Sequence, residues 1–230
     1  MNFKSSLSLL GLILCSILSI ALFSSCKDDP VTQTTTIPDN ASAFLFNGAV
    51  GTVYSYKTTG IIVDTNGVET KAGGEIVKIT IAKSVSTNSD GRKYLIYTVI
   101  GGDNKSLIAD ENTLCLGNTD ASRRYSVFLQ KPFTENAEFS RDTISNGSNN
   151  MKIIDVNKQI TIPAGTFTGI GAVETSYDTV SFPKKITLDK NWYSEGNGVI
   201  RGENIRTRTY QSGKKSTETM IIELISITKP

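Results

Sequence analysis

From Glu75 to Lys83 the chain reads EIVKITIAK, with Val77, Ile79 and Ile81 on one side of an extended backbone and Lys78 and Thr80 on the other. Such alternation marks a half-buried strand. It recurs in MKIIDV, KQITIPAG, TGIGAVETSY and TMIIELISIT, all β-branched runs of strand length. YLIYTVI, Tyr94 to Ile100, is apolar on both faces and predicts a central strand. Between these runs lie NSDG, IGGDN and SNGSNN, turn chemistry because Gly and Asn tolerate positive φ. NIRTRTYQ and TETMIIELISIT flank SGKK, a hairpin signal, with Arg206 and Arg208 on its solvent-leaning face. Beyond the first 25 residues no stretch of ten or more follows a helical period. The pattern predicts an all-β antiparallel domain over residues 42–230, with roughly nine to twelve strands. The polar segment 131–150 marks an internal boundary between two sheets, as in a β-sandwich, or between two halves of one sheet.

The amino-terminal region follows a different rule. Lys4 precedes an apolar run from Leu7 to Phe23, 17 residues long and close to the lower limit for spanning a bilayer. Small residues follow at once, the arrangement of a secretory signal over residues 1–25. Ser24-Ser25 before Cys26 resembles a bacterial lipobox, in which the cysteine receives a diacylglycerol before cleavage; Phe23 departs from the aliphatic residue usual there. The alternative is an ordinary signal peptide and a free thiol at Cys26. Lys27, Asp28 and Asp29 resemble the export signal of Bacteroidetes surface lipoproteins, and would also serve as a plain polar tether. Two or more acyl chains anchor stably where one does not. Residues 26–41 then read as a lipidated tether with two prolines, four threonines and no apolar period. Its fifteen residues after the cysteine reach at most about 50 Å.

Charge and cysteine count narrow the function. Residues 1–25 hold one base, Lys4, and no acid, so of 24 basic and 22 acidic residues 23 and 22 remain, a net +1. Such a balance gathers neither nucleic acid nor anionic lipid. With Cys15 in the signal and Cys26 acylated, Cys115 has no partner for a disulfide. The chain has no histidine, which removes the base a Cys–His mechanism needs. Cys115, between Leu114 and Leu116, reads as a buried strand residue.

From Lys131 onward the motifs KPF, ITIPAGTF (Ile160 to Phe167) and WYSEGNGVIRGE (Trp192 to Glu203) resemble a pattern of uncharacterised Bacteroidetes lipoproteins. There a PAGTF turn precedes a WYxxGxGxV strand–turn–strand. The resemblance covers about 100 residues. Glu195 and Asn197 depart from the small and aliphatic residues usual around Gly196. It implies a strongly curved antiparallel sheet similar to the half-barrels of lipoprotein carriers, and no established activity. By themselves these residues describe corners: Pro163 cannot donate to a ladder, and Gly165, Gly196 and Gly198 suit sharp turns.

The adjacent Trp192 and Tyr193 are the best candidates for ligand contact. Neighbours in a strand face opposite ways, so one ring points inward and the other outward; a core tryptophan closing a barrel end is the competing reading. Asp189, Glu195 and Glu203 lie close in sequence, and paired carboxylates hydrolyse glycosides, though no spacing rule marks such pairs in strands. VDTNGVE at 63–69 lacks the repeated oxygen ligands of a calcium loop and reads as Asx turns. Lys184, Lys185 and Lys190 read as a solvated face. Thr143 and Thr179 stand in D-T-aliphatic triplets resembling the O-glycosylation sequon of exported Bacteroidetes proteins. No cofactor or metal is implied. The expectation is an outer-membrane, cell-surface lipoprotein, with the periplasmic face as the alternative orientation. It would act as a non-catalytic binding module for a partner protein or glycan. The competing functions are a carrier of lipid in a half-barrel cavity and a carboxylate-dependent hydrolase.

Overall fold

The alternating runs become strands of a single sheet. The computed structural model describes residues 37–230 apart from 88–90, 100–103, 118–125, 141–149, 179 and 181. Among the described residues there are twelve strands: β1 (Val53–Val63), β2 (Glu69–Thr87), β3 (Lys93–Val99), β4 (Asn104–Ala109), β5 (Thr113–Gly117), β6 (Ser126–Gln130), β7 (Glu138–Ser140), β8 (Asn150–Ile162), β9 (Gly165–Asp178), β10 (Lys184–Ser194), β11 (Gly198–Thr209) and β12 (Lys215–Thr228). Their spatial order is β6-β5-β4-β3-β2-β1-β12-β11-β10-β9-β8-β7, antiparallel throughout. Every neighbour is therefore consecutive in sequence, except that the first strand pairs with the last. This is an up-and-down ring opened between β6 and β7.

The opening is narrow. Twelve flat strands would span about 53 Å at a spacing near 4.8 Å. The connection from Gln130 to Glu138 is eight steps, which reach at most about 28 Å. The sheet must curl until its edges approach, and it forms a nearly closed barrel. Residues 131–137 thus cross between the two edges of one sheet and separate its halves, β1–β6 and β7–β12, rather than two sheets; residues 33–230 are one compact unit. The sandwich alternative gives way to a single sheet more closed than a half-barrel.

The corner motifs form turns, whereas the predicted turns NSDG, IGGDN and SNGSNN lie, apart from Gly91, Asn104 and Asn150, outside the described residues. Pro163-Ala164 joins β8 to β9, with Gly165 at φ 139°, and residues 195–197 join β10 to β11. Asp64 Oδ1 accepts the N–H groups of Asn66 and Val68 at 2.8 and 2.9 Å, an Asx turn. Those amides, Val68 first, hold the Asp64 carboxyl below its ordinary value.

Burial concentrates at one end of the barrel. There Tyr54, Tyr56, Ile170, Tyr193, Ile200 and Leu224 face inward and are buried. A strap formed by residues 37–46, including a 3-10 turn at Ala41–Phe44, closes this end. Ala41, Phe44, Leu45 and Phe46 are all buried in the core. The strap is pinned on both sides. Ala41 N–H donates to the Glu111 carbonyl, and Gly196 N–H donates to the Ala43 carbonyl. Phe46 bridges Asn197, packs on Tyr54 at 4.6 Å between ring centroids, and lies where a side chain on Gly198 would stand, 2.6 Å from its ring. Lys131 reaches Asp39 at 3.1 Å and Glu111 at 3.4 Å. Desolvation opposes its charge, but these carboxylates outweigh it and hold the amine above the usual lysine value. The folded unit thus takes in Ile37–Ala41, which the sequence pattern assigns to the tether.

At the other end the long strands outrun the short ones. Their inward rows turn polar: Asn191 Nδ2 donates to Asp189 Oδ1 at 3.3 Å, and Arg206 and Arg208 meet Glu218 at 3.2 and 3.4 Å. The two arginines do share a face, as expected, but it is the inner one. Cys115 is buried, and burial pushes its thiol up.

Candidate functional site

Trp192 and Tyr193 diverge as strand neighbours must. Tyr193 points inward and stacks on Phe128 of β6 at 6.5 Å between centroids. It lies in the core and is closed to ligands. Trp192 points outward. Its cross-strand partners are Arg201 on β11 and Gly171 on β9, so the indole lies over a position without a side chain and reaches β8. Its Nε1–H donates to Asp155 Oδ2 at 2.7 Å. A Cβ on Gly171 would stand 2.7 Å from that nitrogen and 2.9 Å from that oxygen. The glycine is the space in which the bond forms. Trp192 is buried with the core, as the competing reading expects, but its ring lies on the outer face of the sheet and is covered there.

Its cover is ionic. Lys158 Nζ sits 5.6 Å from the ring centroid and pairs with Asp155 at 2.9 Å. The Arg201 guanidinium lies 5.8 Å from the centroid and pairs with Glu223 on β12 at 2.8 Å. Cations over an indole are attracted by its quadrupole. Further along the same outer face Lys190 meets Glu203 at 3.7 Å. Asp155, Lys158, Lys190, Trp192, Arg201 and Glu203 border a cleft of about 590 Å³, completed by Ile154, Gln159, Ile160 and Thr161 of β8. The Gln159 amide, the Thr161 hydroxyl and charges of both signs surround one largely covered aromatic floor, which leaves 7% of Trp192 exposed.

The three candidate carboxylates do not converge. Asp189 faces inward, Glu203 outward, and Glu195 is exposed at the tip of a turn. The lysines divide likewise: Lys184 and Lys190 share the outer face with Trp192, and Lys185 faces the other way. Cys26, Lys27, Asp28, Asp29, Thr143 and Thr179 lie outside the described residues. Asp155, Lys158 and Gln159 were not singled out in the sequence. The one signal for them is the polar DVNK that interrupts the alternation of MKIIDVNKQITI.

No protein-family model matches the chain, and no curated protein matches it. Among solved structures it is similar to a provisionally assigned lipoprotein from Parabacteroides distasonis, at 16% identity over 80% of this chain and 97% of that one, with a TM-score of 0.44. It is also similar to a provisionally assigned exported protein with a YmcC-like fold from Bacteroides fragilis, at 11% identity over 81% and 99%, with a TM-score of 0.46. Both scores fall below the value at which a shared fold is established, so the functional reading rests on this chain's own residues.

Proposed function

We propose that the chain is a lipid-anchored, non-catalytic binding module of the bacterial outer membrane, moored through Cys26 and displayed at the cell surface, whose Trp192 cleft takes a glycan. The observation that carries the binding reading is the outward placement of the single tryptophan in a cleft rimmed by Lys190, Arg201, Glu203, Gln159 and Thr161. Sugars combine apolar ring faces with dense hydroxyls, and a site with an aromatic floor and a few convergent polar groups suits them. The lipobox-like border at Cys26 supports the anchor, and Lys27, Asp28 and Asp29 support the outward orientation. Ten residues separate Cys26 from Ile37, a tether of at most about 38 Å. The carrier reading draws less support, because Phe44, Leu45, Tyr54, Tyr56 and Leu95 fill the strap end of the interior.

Two measurements test the two halves of the proposal. Cys26→Ser moves the protein from the membrane fraction to the soluble one; if the variant still pellets with membranes, the anchor is elsewhere. On an array of envelope glycans the chain binds at least one class, and Trp192→Ala weakens that binding by roughly thirtyfold, about 2 kcal/mol. An array without hits, or hits indifferent to Trp192, would overturn the cleft reading, and capture of a purified envelope protein instead would turn it toward a protein partner.

A further inference from the structure

Between Ile153 and Lys158, strand β8 falls out of step with β9. Ile153 stands opposite Ala172, Asp155 opposite Gly171 and Lys158 opposite Gly169, so five steps on one strand match three on the other, in two successive shifts. Asn157 lies in this bulge, in the left-handed region at φ 57°, which asparagine tolerates better than most residues. The bulge deals its side chains to two sides. Ile154, Asp155 and Lys158 line the Trp192 cleft. Val156 and Asn157 line a second cleft, also about 590 Å³, whose other walls are Ile37, Pro38, Asp39 and the start of the crossover. Across this second cleft the Ile37 N–H donates to Asn157 Oδ1 at 3.0 Å. The strap therefore holds the residue of the second shift, whose backbone conformation brings Lys158 to the same face as Asp155 and the indole.

We infer that Asn157 is a positioning residue that couples the strap to the Trp192 cleft. With Ile37 in place the bulge is fixed, and Asp155 stays within reach of both Trp192 Nε1 and Lys158. When the strap lifts, Asn157 loses its partner, the bulge relaxes, and the cover over the indole loosens. One net hydrogen bond biases such an equilibrium by roughly fivefold, so the coupling grades the cleft rather than switching it. Its consequence for ligand binding rests on the cleft reading above, but the coupling itself needs no ligand to be seen.

The test uses the full chain and its single tryptophan, with acrylamide quenching of Trp192 as the readout. Ile37→Pro removes the donor. Asn157→Gly removes the acceptor and keeps the left-handed backbone accessible. Each raises the quenching constant about twofold, and the double variant raises it no further than either single, as expected for two ends of one interaction. Asn157→Asp, which keeps the acceptor, restores the native value, and this separates positioning from general damage to the fold. Unchanged quenching in both single variants, or additive effects in the double, overturns the inference. Because no glycan is present, a blank glycan array leaves this result standing, and a failed cycle leaves the array result standing.

Discussion

At the scale of single residues, the site depends on an absence. Gly171 has ordinary backbone angles for a strand, so alanine there is tolerated conformationally and acts through its methyl group alone. That methyl would stand 2.7 Å from Trp192 Nε1, and the indole or Asp155 must move. Gly171→Ala is expected to cost about 1–3 kcal/mol of stability, in the range of overpacked sites, and to shift the tryptophan emission to the red. A thermal melt and an emission spectrum check both; an unshifted spectrum would mean that the indole was never held by Asp155. The opposed directions of Trp192 and Tyr193 were legible in the sequence because period two is a property of the strand itself. That Asp155 is the partner was not. It lies 37 residues away, and its facing is decided by the first of two close register shifts in β8, which no alternation in the sequence announces.

Among the elements, the strap shows the same limit from the other direction. Residues 27–41 carry no period, and a segment without period reads as tether. Yet Ala41, the last of them, is wholly buried, because the end of a barrel is capped by irregular chain that obeys neither alternation nor helical spacing. The strands beneath it were legible: EIVKITIAK lies within β2, YLIYTV is internal in the sheet within β3, and NIRTRTYQ with TETMIIELISIT forms the β11–β12 hairpin. The strap's energetics divide sharply between its apolar and ionic contacts. Phe46→Ala removes a buried ring and is expected to destabilise by about 3–5 kcal/mol in urea unfolding. Asp39→Ala breaks a contact whose carboxylate is 90% exposed; solvent screens such a pair, so this variant is expected to unfold close to the unsubstituted protein. Equal effects would mean that the strap is held by charge rather than by packing.

For the whole molecule, strand number and direction followed from the sequence, while closure did not, since nothing local says that the first strand pairs with the last. The closed end buries phenols, and this sets a limit in alkali. Desolvation pushes Tyr54 up to about 12 and Tyr56 higher still, the latter with its hydroxyl donating to the Val199 carbonyl at 2.8 Å. A phenol whose folded value lies above the unfolded one, 10.0, stabilises fully below pH 10 and loses that contribution as the pH rises through 12. Alkaline titration is therefore expected to show tyrosinate absorbance rising together with loss of near-ultraviolet circular dichroism; smooth ionisation near pH 10 in a folded protein would contradict the burial. The β1–β12 pairing also has a consequence for biogenesis. A chain is made amino end first, so β1 must wait, one edge bare, until the final strand has been synthesised. A product cut short before Lys215 would leave β1 and β11 as two unsatisfied edges, the kind of surface on which aggregation begins.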